Sequence, residues 1–431
     1  MLCLVDSNNF YVSCERAFNP ALEGRAVVTL SNNDGCIIAR SNEAKALGIK
    51  MGTPFFQLSE LRKQHDIAVF SSNYTLFGDM SARVMATLSR FVEQVEVYSI
   101  DEAFLNLDGY ENVYPDFEQF ARLLRSTVHQ WTRIPVSVGI APTKTLTKIA
   151  NFYAKRRPEH DRGDGPGVLL LDTSDKIDDA LQDFDVADLW GVGWRYAGML
   201  KRNGIRTAAQ FRDLPDDWTN AKLTVNGLRL AYELRGMPCK MLETEAPAKK
   251  SICTAPSFGR GVHDLDTISQ AMITHLGRAA EKLRKQGSAV SCITVFLHTN
   301  RHEKSPNGEL AKQYYNSRSV ELPHPTSSTA ELVRYASELL KSIFAFGYEY
   351  QKVGILLTGL VPADYRQGGI FTSGPDERLI KLSNVVDRIN QRHGRDRVRL
   401  AGAGYDPSWH HKRQWMSPRY TTVWDEILRA T

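Results

Sequence analysis

This 431-residue chain has no C-x-x-C pair, and none of its six cysteines (Cys3, Cys14, Cys36, Cys239, Cys253 and Cys292) stands in a Cys/His cluster with zinc-ligand spacing. That pattern offers neither a structural zinc site nor a disulfide-stapled scaffold. Six such thiols in so long a chain read as reduced and packed, as in a cytoplasmic protein. No apolar run approaches the ~20 residues that a membrane-spanning helix needs. The opening run Met1-Leu-Cys-Leu-Val meets a carboxylate at Asp6 and has no basic flank, so it does not read as a signal peptide. No internal repeat is evident. Charge of one sign is scarce too: 54 Lys and Arg against 49 Asp and Glu leave +5. So small an excess permits a nucleic-acid partner without arguing for one. What is present is an ordinary globular balance, 42% hydrophobic and 24% charged. It excludes a mostly disordered or collagen-like chain, and the length suggests roughly two to four domains.

Residues 1–6 read as a buried strand ending on Asp6. Ala26–Leu30 and Cys36–Ala39 flank Asn32-Asn33-Asp34-Gly35 as a hairpin, and Ile67–Phe70 is a further short strand. Leu76, Met80, Val84 and Leu88 repeat every four positions and place a helix on Tyr74–Phe91. Strands at Val95–Val97 and Phe104–Leu107 surround Ser99-Ile100-Asp101-Glu102. Helices at Phe117–Thr132 and Thr143–Lys155 flank a strand at Val136–Ile140. The breaker-rich stretch Arg157–Gly167 marks a boundary. Short helices without a strand run from Ile177 to Leu234, and residues 244–257 read as an extended linker. A helix near 265–286, strands at Ala289–His298 and Tyr314–Leu322, a helix at 328–345 and a strand at Tyr350–Leu357 compose a small sheet under two helices. Beyond 362 the periodicity weakens.

Asp6, Asp101 and Glu102 are the most informative residues. If the first strand neighbours the pair around Asp101-Glu102, three carboxylates converge on one sheet edge and repel unless cations join them. Mg²⁺ suits one or two carboxylates plus water and phosphate oxygens, and two ions ~3.5–4 Å apart can serve an in-line phosphoryl displacement. The plainer reading is a solvated turn and a strand-end cap. Three stretches are basic: Lys144, Lys148, Lys155, Arg156 and Arg157; Arg195, Lys201, Arg202, Arg206 and Arg212; and Arg388, Arg392, Arg395, Arg397 and Arg399 against Asp396 alone. Any one could be a solvated face, whereas three together favour DNA or RNA. Leu189-Trp-Gly-Val-Gly193 opens the second stretch. A helix-hairpin-helix turn there would bring the Gly191 and Gly193 amides to a phosphate beside Arg195, the alternative being a plain helical hairpin. Phe10 and Tyr11 are either core or a ring beneath a nucleotide sugar, where a 2′-hydroxyl would clash.

Asp6-Ser-Asn-Asn-Phe-Tyr-Val-Ser-Cys-Glu15, Ser99-Ile-Asp-Glu102, Val138-Gly-Ile-Ala-Pro-Thr-Lys-Thr-Leu-Thr-Lys-Ile-Ala-Asn151 and Leu189-Trp-Gly-Val-Gly193 resemble, in order, the Y-family translesion DNA polymerases over roughly residues 1–360. The run from Leu30 to Gly48 and the tail Met416-Ser-Pro-Arg-Tyr-Thr-Thr422 resemble the UmuC-type branch, the catalytic subunits of bacterial DNA polymerase V. The resemblance implies a multi-domain α+β right hand. Its palm would be 1–20 and 72–165, its fingers 21–71 and its helical thumb, with the helix-hairpin-helix, 166–243. A little-finger α/β domain would follow at 244–358, then a C-terminal clamp- and partner-binding region at 359–431. It further implies that Asp6, Asp101, Glu102 and the Ser7 carbonyl hold two Mg²⁺ ions. Asp101 and Glu102 would be catalytic, Tyr11 the steric gate and Phe10 its neighbour. Asn42, Lys45 and Lys155 would meet the incoming nucleotide, and Lys148, Gly191, Gly193 and Arg195 the DNA. Two positions depart from the pattern: Asn8 stands where many relatives carry an acid, and Asn42-Glu-Ala-Lys45 where many carry Tyr-Glu-Ala-Arg. A lysine serves phosphate as a point charge rather than a fork. Gln367-Gly-Gly-Ile-Phe371 resembles the peptide by which bacterial polymerases hold the sliding clamp, with Gln367, Ile370 and Phe371 as its anchors.

The expected activity is template-directed, error-prone extension of primer-template DNA with dNTPs across lesions, within SOS-type damage tolerance. No second acidic set reads as a proofreading exonuclease. The resemblance also implies a UmuD′ dimer and a RecA filament as partners, and no membrane. A non-catalytic DNA-bound scaffold would keep the basic stretches without needing three acids, and a metal-dependent nuclease would not need a sugar gate. The tail beyond 360 is basic and carries Trp409, Trp415 and Tyr420, which are either partner-facing or packed.

Overall fold

The computed structural model describes residues 1–156, 167–245, 247–302, 308–364, 374, 376–405 and 408–428. The chain divides into two compact units, one of residues 1–31, 36–246 and 415–431, the other of 32–35 and 247–414.

In the first unit β1 (Leu2–Ser7) is followed by α1 (Phe10–Phe18), β2 (Ala26–Leu30), β3 (Ile37–Arg40), α2 (Asn42–Ala46), α3 (Ser59–Gln64) and β4 (Ile67–Ser71). Next come α4 (Tyr74–Leu88), β5 (Val95–Val97), β6 (Glu102–Asn106), α5 (Phe117–Thr132), β7 (Val136–Ala141), α6 (Lys144–Ala154) and β8 (Val168–Leu170). Four helices close the series: α7 (Ser174–Gln182), α8 (Trp194–Arg202), α9 (Ala208–Arg212) and α10 (Asp216–Leu234). The main sheet has the order β5-β6-β1-β7-β8, with β1 antiparallel to both neighbours. A second, three-stranded sheet is ordered β3-β2-β4.

Alternation along β1 decides what each face carries. Cys3 and Val5, with Ala103, Leu105, Val138 and Ile140, pack against Leu76, Phe77 and Met80 of α4 and Phe120 and Leu124 of α5. Leu4 and Asp6 therefore turn to the opposite face, where α6 lies. There α6 sits directly on β7: a Cβ on Gly139 would come within 2.5 Å of the Asn151 N and the Thr147 carbonyl.

Lys144 is 4% exposed, and its Nζ lies 2.5 Å from Glu96 and 2.8 Å from the Met241 carbonyl. Glu96 also accepts from the Glu243 N–H. Breaking a buried pair from one side leaves an uncompensated charge, so Lys144→Met should cost about 3–5 kcal/mol. Urea unfolding checks this, and an unchanged midpoint would refute it.

The second unit holds β9 (Ile252–Thr254), β10 (Ser257–Val262), α11 (Leu265–Lys285), β11 (Ser288–Thr299), β12 (Tyr315–Thr326), α12 (Thr329–Ile343), β13 (Tyr350–Pro362) and α13 (Glu377–His393). Its sheet runs β10-β13-β11-β12, with β9 also paired to β13. Helices α11 and α12 bury Ile268, Met272, Leu276, Leu332 and Leu340 against Ile293, Val295, Leu297 and Ile355.

Besides the helices α1, α2 and α3, elements β8, β9, β10 and α13 escape the sequence pattern. Strand β8 is three residues long and shows no period. Strand β9 lies inside the stretch read as a linker, where pairing of Ile252, Cys253 and Thr254 with Leu357, Leu356 and Ile355 makes it a strand. Strand β10 overlaps the end of that stretch. Helix α13 buries only Ser383 among its described side chains. It is anchored by a two-pronged pair, Arg284 to Asp387 at 2.6 and 2.8 Å, and its apolar stripe of Leu379, Leu382, Val386 and Ile389 stays partly exposed. Trp409 is 3% exposed and belongs to this unit's core, the packed one of its two readings.

Candidate active site

Asp6 and Glu102 stand directly opposite each other in the β1–β6 ladder. Opposed residues of an antiparallel pair share a face, so both carboxylates project toward α6. Asp101 precedes β6 in a bend, and its carbonyl accepts from the Ser7 N–H at 2.8 Å. Ser99 organises this bend. Its Oγ accepts from the Asp101 and Glu102 N–H groups at 3.2 and 3.0 Å and donates to Asp101 Oδ1 at 2.5 Å. The backbones of the three acids are thus neighbours, while the Asp101 side chain is turned onto Ser99. Among the described residues no group of three or more His, Cys, Asp and Glu side chains is placed to hold a metal ion.

The charge of these acids is answered by α6. Lys144 pairs with Glu96 on β5, Lys148 with Glu102 on β6 at 2.7 Å, and Lys155 with Asp6 on β1 at 2.5 Å. One helix face of lysines therefore follows three adjacent strands of carboxylates. Lys148, expected at the DNA, has its Nζ 2.7–2.8 Å from both Glu102 oxygens. Helical spacing shows which lysines share a face, not what that face meets. Burial raises the Asp6 carboxyl, Lys155 pulls it back, and Glu102 beside it adds to the rise. Burial also acts upward on Glu102, but its contact with Asp6 and the Lys148 ammonium hold it below the usual range. Carboxylate oxygens are the donors that hard divalent cations take, and the strand register sets Asp6 beside Glu102, so donor type and register fit the expected ions while lysines pair with both acids and Asp101 is turned onto Ser99.

Beside the acids, Asn9 takes the left-handed conformation (φ 48°) between β1 and α1. Its Nδ2 donates to Asn42 Oδ1 at 3.2 Å, and that oxygen also accepts from Lys45 Nζ at 2.9 Å. Asn9, Asn42 and Lys45 are thereby joined at the start of α2. Tyr11 is half-buried and stacks on Phe77 with centroids 4.5 Å apart and planes at 15°, with Tyr74 at its edge. Phe10 is 4% exposed and belongs to the core beneath. Asn8 Oδ1 accepts from the Ser137 hydroxyl at 2.9 Å.

Gly191 has φ 100°, and Gly193 precedes α8 with no side-chain cap. Arg195 is exposed, its guanidinium over the 80%-exposed Trp194 ring. Other cations of that basic stretch are answered in space: Lys201 by Asp185, and Arg212 by Asp178 and Asp213. Gln367, Ile370 and Phe371 lie outside the described residues. Sequence reasoning missed Ser99, Asn9 and Phe77. The Asn8-Asn9 pair between strand and helix was a usable signal, because Asn tolerates the left-handed region. Phe77 gave none, being one apolar helix position among several.

Residues 5–151 match the model of the impB/mucB/samB family, and 249–370 match that family's C-terminal domain. Residues 381–430 match a domain of unknown function. The chain is 40% identical over 431 residues to the protein UmuC of Salmonella typhimurium strain LT2, covering 100% of both. It is 37% identical over 431 residues to the protein MucB of Escherichia coli, again covering 100% of both. It is also 28% identical over 416 residues to DNA polymerase IV of Moorella thermoacetica, covering 94% of this chain and 97% of that protein. Among solved structures, a Y-family DNA polymerase chimera of Dbh and Dpo4 superposes with a TM-score of 0.66 at 20% identity, over 84% of this chain and 99% of that one. An insertion ternary complex of Dbh DNA polymerase gives 0.55 at 20% identity, over 84% of this chain and 99% of that one. At such identity the likeness shows a shared fold. No helix among the described residues is long and apolar enough to cross a membrane.

Proposed function

The chain belongs to the impB/mucB/samB family and is a translesion DNA polymerase of the Y family, and on that premise we propose that Asp6, Asp101, Glu102 and the Ser7 carbonyl hold two Mg²⁺ ions for nucleotidyl transfer. The single observation that carries this reading is the register that sets Asp6 against Glu102 while Asp101 is tied to Ser7. When bound, the ions supply charge stabilisation to the attacking 3′-oxygen and the departing pyrophosphate.

The chain's own groups do the rest. Ser99 fixes the bend, so the order of Asp101 and Glu102 is set before substrate arrives. Lys148 and Lys155 neutralise Glu102 and Asp6 in the free enzyme, which keeps close acids from forcing the sheet edge apart. Lys155 and Lys45 offer point charges to the triphosphate, with Asn42 linking Lys45 to Asn9. The Tyr11 ring, held flat by Phe77, occupies the place where a ribose 2′-hydroxyl would project. The amides at Gly191 and Gly193, with Arg195, take up a DNA phosphate without reading sequence.

We assign the palm to 1–20 and 72–165, the fingers to 21–71, the thumb to 166–243, the little finger to 244–358 and the partner-binding region to 359–431. The clamp is held through Gln367, Ile370 and Phe371. A UmuD′ dimer and a RecA filament are the further partners, and the cytoplasm is the compartment. The test is incubation with primed DNA, dNTPs and Mg²⁺, alone and with those partners. Longer, Mg²⁺-dependent products are expected. Shorter products would mean a nuclease, and unchanged primers under both conditions a scaffold.

A further inference from the structure

The C-terminal segment from Trp415 onward belongs to the first unit, with the main sheet, rather than to the unit that contains α13. It is bound there by several independent contacts. Trp415 and Ser71 exchange hydrogen bonds: the Ser71 N–H donates to the Trp415 carbonyl at 2.9 Å, and the Trp415 N–H to Ser71 Oγ at 3.0 Å. The Arg62 guanidinium lies 5.0 Å from the Trp415 ring. Two residues on, Asn73 Nδ2 donates to the Ser417 carbonyl, Ser417 Oγ and the Pro418 carbonyl at 3.0–3.1 Å. Ser417 Oγ in turn donates to Glu15 Oε1 at 2.9 Å. Finally, Tyr420 stacks on Phe18 with centroids 4.8 Å apart and planes at 11°.

The positions gripped are what give this segment a function. Tyr11, Glu15 and Phe18 stand at i, i+4 and i+7 of α1 and so form one stripe. Ser417 and Tyr420 hold the lower two members of the stripe whose top member is Tyr11. Asn73 caps α4 through its Oδ1, and Phe77, one turn further on, is the ring on which Tyr11 stacks. The tail therefore grips both helices of the Tyr11–Phe77 pair, one turn away from each ring. Glu15 is 1% exposed, burial pushes its carboxyl up to about 7, and the Ser417 hydroxyl is the contact that draws it back. A buried carboxyl on the gate helix thus depends on a residue 402 positions away.

We propose that Ser417, with Tyr420 and Asn73, is a positioning residue for sugar selection: the tail braces α1 against α4 and so fixes the Tyr11 ring on Phe77. The part that concerns selection rests on Tyr11 being the steric gate; the brace itself is a statement about α1 and α4.

Two readouts test it on the full-length protein. The first is discrimination between dCTP and CTP in single-nucleotide insertion, measured for wild type, Tyr11→Ala, Ser417→Ala, Ser417→Thr and Arg419→Ala. Losing a hydrogen bond to a buried carboxyl should lower the dCTP preference of Ser417→Ala by about tenfold. Threonine keeps the hydroxyl and should restore it, and Arg419→Ala, whose partner is Glu426, should not change it. The second is amide hydrogen exchange across 10–18 and 73–78, which should quicken in Ser417→Ala while α5 keeps its protection. Unchanged exchange in α1 would overturn the brace, whatever Tyr11 does. If Tyr11→Ala shifts discrimination and Ser417→Ala does not, the link to selection is overturned while the gate stands. If Tyr11→Ala itself has no effect, the gate assignment falls, and with it that link.

Discussion

Glu102→Ala should leave a folded protein that binds primer-template DNA and extends it at least about 10³-fold more slowly. Divalent cations in such a site supply several kcal/mol of transition-state stabilisation, and each ~1.4 kcal/mol is a factor of ten in rate. Losing about 4 kcal/mol therefore removes about three orders of magnitude. Asp101→Asn should do the same with almost no change of volume, since it removes charge and leaves the Ser99 bend able to form. Stability should change little, because two effects oppose each other. Asp6 and Glu102 are like charges on one face of adjacent strands, and Glu102 is among the causes that raise the Asp6 carboxyl. Removing Glu102 relieves that repulsion, although Lys148 loses its partner. Single-turnover extension, DNA-binding anisotropy and thermal melting separate these effects. Near-normal extension by either variant would remove the metal assignment, and a collapsed melting temperature would mean that the acids are structural.

Tyr11→Ala should let the enzyme insert ribonucleotides, with the dNTP preference falling roughly 10²-fold. The Tyr11 ring is not free to yield: Phe77 lies flat beneath it at 4.5 Å and Tyr74 closes its edge. Forcing an extra group against such a packed ring costs about 1–3 kcal/mol, or roughly ten- to 200-fold in selectivity. Alanine removes the obstacle and also strips a partner from Phe77, so some loss of stability accompanies the gain in tolerance. Tyr11→Phe keeps the ring and should keep the selectivity, which separates sterics from the hydroxyl. Competing dCTP and CTP at one template base provides the measurement. Unchanged preference in Tyr11→Ala would reject the ring as the gate.

Much of the element pattern is visible in local order. Leu76, Met80, Val84 and Leu88 repeat at helical spacing, and α4 forms there. The apolar run before Asp6 is a buried strand. The fold class and family follow from ordered motifs, because those motifs are short enough for their spacing to survive as sequence. What local order cannot carry is the identity of a partner. The basic stretch of α6 contains no acid in sequence, yet each of Lys144, Lys148 and Lys155 meets a carboxylate from another strand. Likewise Trp415, Ser417 and Tyr420 look like any aromatic- and hydroxyl-bearing tail until folding sets them against Arg62, Glu15 and Phe18.

The amino-acid order alone determined the candidate acids, the ring beside them and the family to which they point, since each is a matter of residue type at fixed spacing. The tertiary structure alone decided that Asp6 faces Glu102, that Asp101 turns to Ser99, that Lys148 pairs with Glu102, and that the tail returns to α1. Charge pairing and burial act through space, and a chain contributes to them from positions hundreds of residues apart.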